Sequence, residues 1–188
     1  MASRYHPVHA PALPRLWLMT DERLGDGLMD AIRALPPGSG IIFRHYSLPL
    51  RDRRAVFARI RQLARAGGHC LLWAGSPRQA RAVRADGAHG RARGAISAPV
   101  HSRRERIRAE LAGARLLFVS PVFPTRSHPG ARALGRVKFG QMTRGTRTPV
   151  IALGGMTQTR AKSLSVFDIY GWAAIDGLIA QKRKAVPT

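Results

Sequence analysis

Short apolar runs and longer amphipathic stretches alternate along the chain. Each apolar run has the length of a buried β-strand, and the stretch after it places apolar residues at helical spacing. The run Leu116–Val119 has no polar residue and breaks at Ser120-Pro121 into a loop. On this pattern we predict strands within residues 16–20, 40–46, 69–74, 86–90, 95–100, 116–119, 149–153 and 171–175.

Start and stop signals indicate that the amphipathic stretches are helices. Small polar residues precede them as N-caps, and Pro77 stands where a first helical residue is expected. The predicted N-caps are Thr20 or Asp21, Asp52, Ser76, Ser102 and Thr157. The predicted helices cover about 24–35, 52–66, 77–85, 103–111 and 135–143, with two more beginning after Thr157 and at Asp176.

Regular alternation of strand and helix favours a parallel sheet covered by helices, and eight units are the number in a closed barrel. We therefore predict a compact α/β fold, a (βα)8 TIM-type barrel, over residues 15–180. Residues 1–14 are expected to be a flexible lead-in and residues 181–188 a basic tail. A doubly wound open sheet is the alternative, although no G-x-G-x-x-G motif follows the first strand.

Length and composition fit one globular domain, since 45% of the 188 residues are hydrophobic. No apolar run approaches the ~18 residues that span a bilayer, and the N-terminus has no signal-peptide core. We expect a cytoplasmic protein that does not enter a membrane. The single cysteine, Cys70, lies in an apolar run and is interpreted as a buried structural thiol and not as a nucleophile.

The formal net charge of +22 comes almost entirely from arginine. Such a charge attracts anions in general, from nucleic acids to phosphorylated metabolites. The chain has no zinc-finger spacing and no aromatic RNA-binding signature, so nucleic acid is not the favoured partner. Most of the arginines are expected to lie on a solvated surface. The pattern makes no prediction about oligomeric state.

In a barrel the carboxyl ends of all strands converge on one mouth. The predicted strand ends supply cations, hydroxyls, glycines and histidines, and almost no carboxylate, which favours anion binding with one ionisable base. Arg44 would need an anionic partner there, either a substrate phosphate or a protein carboxylate. His101 is a candidate general acid or base, or alternatively a structural residue that hydrogen-bonds the start of the next helix.

Gly154-Gly155 follows the seventh strand and precedes a predicted helix. Two glycines let the backbone approach a ligand closely, and a helix N-terminus favours anions. The pair would equally serve as a simple turn. The phosphate interpretation gains weight because the units after strands seven and eight form the usual phosphate site of these barrels.

Four segments carry a resemblance to a known family. Ser120–Gly130, with the letters SPVFPTRSHPG, is similar to a G-P-x-F-P-T-x-T-K pattern. Pro149–Met156 is similar to P-V-x-A-I-G-G-I, Ala85–His89 to A-D-G-V-H, and Ser97–Ser102 more loosely to S-x-H-S/T. With these motifs in this order, the chain resembles the thiamine phosphate synthase family, which includes related thiazole tautomerases.

The resemblance implies a barrel enzyme of thiamine biosynthesis that joins hydroxymethylpyrimidine diphosphate to thiazole phosphate, with magnesium, and releases pyrophosphate. It also implies roles for single residues. Arg44 matches the pyrophosphate-binding arginine, and Ser120 matches the serine before the loop. The pyrimidine and pyrophosphate side would have Thr125, Ser127 and His128, and the thiazole phosphate would lie at Gly154, Gly155, Ile175 and Asp176.

The chain departs from the family where the metal would bind. The family's Asn-Asp after strand three is Ala74-Gly75, and its acidic residue after strand four falls in 90–94, which has no carboxylate. His128 replaces a lysine, and the family's Gln and Lys on strand two are missing. Magnesium is thus implied without its aspartate ligands, so no metal ligand is assigned. The cations that could substitute are Arg91, Arg93 and Arg126.

Two alternatives to the synthase activity stay open. A thiazole tautomerase needs a phosphate site and an acid/base but no metal, and His101 stands where those enzymes carry a catalytic histidine. The other is a catalytically degenerate barrel that binds phosphorylated ligands or nucleic acid without turnover.

Overall fold

Eight parallel strands form a closed barrel in the order in which they occur along the chain. The computed structural model of the protein describes residues 12–125 and 132–175. Pairing of Leu16 with Trp172 joins the first strand to the last, which confirms the predicted barrel and excludes the open sheet. The strands are β1 (Leu16–Met19), β2 (Gly40–Phe43), β3 (Cys70–Ala74), β4 (Gly87–His89), β5 (Ser97–Val100), β6 (Leu116–Val119), β7 (Val150–Leu153) and β8 (Gly171–Ala174).

Short helices follow most of the strands, with bounds close to those predicted. They are α1 (Gly27–Arg33), α2 (Leu50–Ala66), α3 (Pro77–Ala82), α4 (Arg103–Leu111), α5 (Gly135–Thr143) and α6 (Gln158–Ser163), with 3-10 helices at Glu22–Leu24 and Ser165–Phe167. The predicted caps Ser76, Ser102 and Thr157 are confirmed, since each side chain accepts a hydrogen bond from a backbone N–H of its own helix.

Two other cap predictions need correction. Asp21 caps the 3-10 helix and not α1, because its side chain accepts from the backbone N–H of Arg23. Asp52 is not an N-cap, since α2 begins earlier, at Leu50, directly after Pro49. Asp52 lies in the first turn of α2, where a carboxylate interacts favourably with the helix dipole.

Large apolar side chains fill the inside of the barrel. Trp17, Ile42, Leu72, Phe118 and Ile151 are fully buried there. The rings of Trp17 and Phe118 meet edge to face with centroids 5.4 Å apart, a favourable aromatic geometry. Because the interior is packed, a ligand can bind only at an end of the barrel or outside it.

The predictions for the two ends of the chain fall largely outside the described residues. The last helix from Asp176 and the basic tail 181–188 lie outside them, as does the lead-in apart from Ala12–Pro14.

Two other predictions concern the described part. No helix there is long and apolar enough to cross a membrane. Burial raises the pKa of the Cys70 thiol to about 12, so the thiol stays protonated, in agreement with a structural role.

Candidate active site at the carboxyl ends of the strands

Arg44 directly follows β2 and is held by the loop after β1. Its Nε donates to the carbonyl of Thr20 at 2.8 Å, and its Nη2 donates to Oδ2 of Asp21 at 2.9 Å. Hydrogen bonds from Arg23, more than the charge of Arg44, lower the pKa of Asp21 to about 2, so this carboxylate stays ionised. The anionic partner of Arg44 is thus a protein carboxylate. Since a guanidinium has five N–H groups, further donors remain for an anion.

His45 is buried beside Arg44 in a turn with positive φ, which is uncommon for a residue other than glycine. Its Nδ1 lies 3.1 Å from Oγ1 of Thr20, and its ring stacks on Phe43 with centroids 4.6 Å apart. Burial lowers the pKa of His45, so the ring is neutral at pH 7. The residue fixes the turn that directs Arg44 and Tyr46 from the end of β2.

His89 ends β4 and is buried in the mouth of the barrel. Its Nδ1 lies 2.9 Å from the hydroxyl of Ser97 on β5, and its ring meets Phe118 edge to face. Burial, and then the charges of Arg44 and His101, lower the pKa of His89 to about 3. The imidazole is therefore neutral at physiological pH and suits a structural role that links the ends of two strands.

His101 follows β5 with its imidazole bonded to the neighbouring strand end. Its Nδ1 lies 2.9 Å from the carbonyl oxygen of Ser120 and 3.3 Å from the Ser120 hydroxyl. Because a carbonyl only accepts, Nδ1 carries the proton and Nε2 is the basic nitrogen of the neutral ring. The link to α4 is made instead by the backbone N–H of His101, which donates to Glu105. The exposed ring is thus available for acid/base chemistry.

The loop after β6 packs directly on Gly154-Gly155. The backbone N–H of Val122 donates to Leu153 at 2.9 Å and that of Phe123 donates to Gly154 at 3.1 Å. Both glycines have positive φ. A Cβ at Gly154 would lie 2.7 Å from the Cα of Pro121, and one at Gly155 would lie 2.4 Å from the carbonyl of Pro124. The two most specific motifs of the chain therefore meet at the mouth, and both glycines are sterically required there.

The predicted helix after Gly154-Gly155 is present but short. α6 has six residues, and Thr157 already caps it. Its dipole is therefore a weaker source of anion binding than the sequence suggested.

The remaining predicted site residues divide into those described and those not. Ile175 is buried and directly follows β8, and Thr125 is half-buried at the end of the described part of its loop. Ser127, His128 and Asp176 lie outside the described residues, and so does Arg126. Of the other suggested substitute cations, Arg91 forms an ion pair with Glu105 at 2.9 Å and Arg93 is exposed.

The described side chains do not fit a magnesium ion. Magnesium prefers oxygen ligands, usually carboxylates. Over residues 12–125 and 132–175, no three His, Cys, Asp or Glu side chains come together as a metal-binding group. Ala74, Gly75 and the segment 90–94 offer no side-chain carboxylate, and the nearby Asp21 and Glu105 are engaged with arginines.

One residue at the mouth was missed from the sequence. Arg53 of α2 is only 8% exposed, and its Nη2 donates to the carbonyl of Ala74, the last residue of β3, at 2.7 Å. The signal was its helical spacing, since Arg53, Phe57, Ile60 and Ala64 share the buried face of α2. The surrounding arginines concealed this pattern, because Arg53 stands in a run of solvated charges.

Comparison with known proteins gives a consistent result. The family model described as thiamine monophosphate synthase matches residues 16–178. The thiamine-phosphate synthase of Methylococcus capsulatus is 29% identical over 164 residues, which cover 78% of this chain and 73% of the relative. That of Pyrococcus furiosus is 27% identical, with 91% of this chain and 90% of the relative covered. The solved thiamine phosphate pyrophosphorylase from Pyrococcus furiosus superposes with a TM-score of 0.74 at 28% identity, covering 87% of this chain and 86% of that one.

Proposed function

The chain belongs to the thiamine monophosphate synthase family, and we propose that it joins hydroxymethylpyrimidine diphosphate to a thiazole phosphate. The products are thiamine phosphate and pyrophosphate. In this transferase reaction the bond between the pyrimidine methylene carbon and the diphosphate oxygen breaks, and its electron pair leaves with pyrophosphate. The thiazole nitrogen attacks the methylene carbon, so the carbon–nitrogen bond forms with no proton transfer to the ring.

The contact between the loop after β6 and Gly154-Gly155 is the observation that carries the proposal. It joins the two motifs most similar to the family at one mouth, the end of the barrel at which Arg44 also follows its strand. The protein's task there is to place two charged substrates in line and to stabilise the leaving group. Arg44, Thr125, Ser127 and His128 are assigned to the pyrophosphate, with Ser120 at the base of their loop. The thiazole phosphate is assigned to Gly154, Gly155, Ile175 and Asp176.

Gly155→Ala should weaken thiazole phosphate binding by about tenfold, equivalent to about 1.4 kcal/mol. The new Cβ would lie 2.4 Å from the carbonyl of Pro124, so the loop must move away from the proposed phosphate site. Gly145→Ala is the matched control, because Gly145 has a similar positive φ but nothing within 4 Å of a Cβ. Calorimetric titration with thiazole phosphate measures both. Equal affinities in the two variants would count against a phosphate at Gly155.

The activity is tested with purified protein, thiazole phosphate and pyrimidine diphosphate, over a series of magnesium concentrations and in a chelator. Thiamine phosphate and pyrophosphate should appear in equal amounts. If no thiamine phosphate forms at any magnesium concentration, the synthase proposal is wrong. Substrates that bind without turnover would point to the degenerate barrel.

A thiazole tautomerase is the second candidate, and the bond between His101 and Ser120 favours it. That bond fixes the proton on Nδ1 and leaves Nε2 as the base, which a proton shift within a thiazole ring requires. The reaction also needs no metal, in agreement with the side chains described. Rearrangement of a thiazole phosphate precursor by the protein, lost in His101→Ala and unaffected by a chelator, would establish this activity. Unchanged rearrangement in His101→Ala would exclude His101 as the base.

A further inference from the structure

Arg53 carries a buried positive charge with no carboxylate to balance it. Among the residues that the structure describes, no Asp or Glu lies within ion-pair distance of its guanidinium. The charge of Glu22 acts on Arg53 from farther away. That carboxylate is already bonded to the backbone N–H and hydroxyl of Ser47. Burial of an unpaired charge is strongly unfavourable, so an anion supplied from outside the protein would complete this site.

The guanidinium and the neighbouring indole of Trp73 each have a buried N–H donor without a partner. Its Nε is buried without a hydrogen-bond partner, and so is Nε1 of Trp73, over whose ring the guanidinium lies 3.8 Å from the centroid. Aromatic stacking holds the planar cation in a fixed orientation. Two buried N–H groups near the end of β3 therefore have nothing to donate to among the described residues.

An exposed aromatic side chain lies next to the guanidinium. Tyr46 lies 5.2 Å from the guanidinium, measured to the ring centroid, and is 66% exposed. The charges of Arg44 and Arg53 both act on the Tyr46 phenol and on His45, so the two guanidinium groups flank the same turn after β2. Because Tyr46 is exposed, its side chain can change rotamer, and a rotation away from Arg53 would make that guanidinium more accessible.

We propose that Arg53, together with Arg44, binds the diphosphate group of the substrate directly, so that this protein takes its diphosphate without a divalent cation. The inference rests on the proposed function for the identity of the anion. Two guanidinium forks match phosphate oxygens geometrically and supply fixed positive charge. Arg53 also reaches Ala74, which with Gly75 replaces the family's Asn-Asp after strand three. Arg53 would thus supply positive charge beside the segment that lacks the family's acidic residue.

The test is calorimetric titration of the full-length protein with inorganic pyrophosphate, in EDTA and in magnesium. We expect binding in EDTA, and a loss of about 10- to 100-fold in affinity in Arg53→Met. Arg65→Met is the matched control, since Arg65 is exposed in the last turn of the same helix and should leave the affinity unchanged. Arg53→Lys keeps the charge without the fork and should lose about tenfold, which gives a measurement if the methionine variant does not fold.

The outcomes separate this inference from the proposed function. Pyrophosphate binding that appears only with magnesium overturns the inference, even if thiamine phosphate is formed. Wild-type affinity in EDTA for Arg53→Lys and for a folded Arg53→Met overturns it as well. Binding in EDTA that depends on Arg53, without formation of thiamine phosphate at any magnesium concentration, supports the metal-free site and rejects the synthase activity.

Discussion

Arg44→Met is expected to lower kcat/KM for thiamine phosphate formation by about 100- to 1000-fold. Negative charge develops on the diphosphate as its bond to the methylene carbon breaks, and a fixed guanidinium stabilises that charge. Arg44 is fixed in this sense, because Thr20 and Asp21 hold its Nε and Nη2 while other N–H groups remain. The loss should fall mainly on kcat, since the interaction strengthens as the charge develops.

Steady-state kinetics with both substrates measure this effect, and Arg33→Met controls for the removal of a paired arginine. Arg33 also forms an ion pair with an aspartate, Asp30, but on the exposed surface of α1, so its removal should leave kcat/KM within about twofold. Circular dichroism establishes that both variants are folded. A folded Arg44→Met variant with less than a threefold loss would show that Arg44 is not a pyrophosphate ligand.

The barrel was predictable because most of its strands and helix starts depend on residues that are close together in the sequence. Most strands are uninterrupted apolar runs, since parallel strands in a barrel are buried on both faces. The exceptions are β4, which ends in His89, and β5, which begins with Ser97. Helix starts such as Ser76-Pro77 and Thr157 need only residues within the same turn to form. Asp52 shows the limit of this approach. Leu50 and Arg51 extend α2 before it, and no cap residue marks that earlier start.

The site was predictable only in part because its partners come from different strands. Strand ends converge in any such barrel, which is why Arg44, His101 and Ser120 could be placed at the mouth in advance. The pairing of Arg44 with Asp21 depends on the register of β1 against β2. The placement of Arg53 depends on how α2 packs on β3, since only that packing brings its guanidinium onto Trp73 and Ala74.

His89 should make the protein less stable in mild acid. Its pKa is about 3 in the folded protein, against about 6.5 when unfolded. Between these values the unfolded chain binds a proton that the folded chain does not, so the free energy of unfolding rises with pH in that window. From pH 5 to pH 7.5 this single residue should add about 2 kcal/mol to the free energy of unfolding.

His89→Asn isolates this contribution, because an asparagine amide can still bond the Ser97 hydroxyl but does not titrate. Urea unfolding of both proteins between pH 5 and 7.5 should show a pH dependence smaller by about 2 kcal/mol in the variant. His45 and His69, whose pKa values burial also lowers, contribute equally to both proteins and cancel in the difference. The lowered pKa of Asp21, about 2, affects stability only at more acidic pH. An unchanged pH dependence in His89→Asn would mean that the pKa of His89 is not lowered in the folded barrel, so that the ring gains its proton in mild acid there as it does in the unfolded chain.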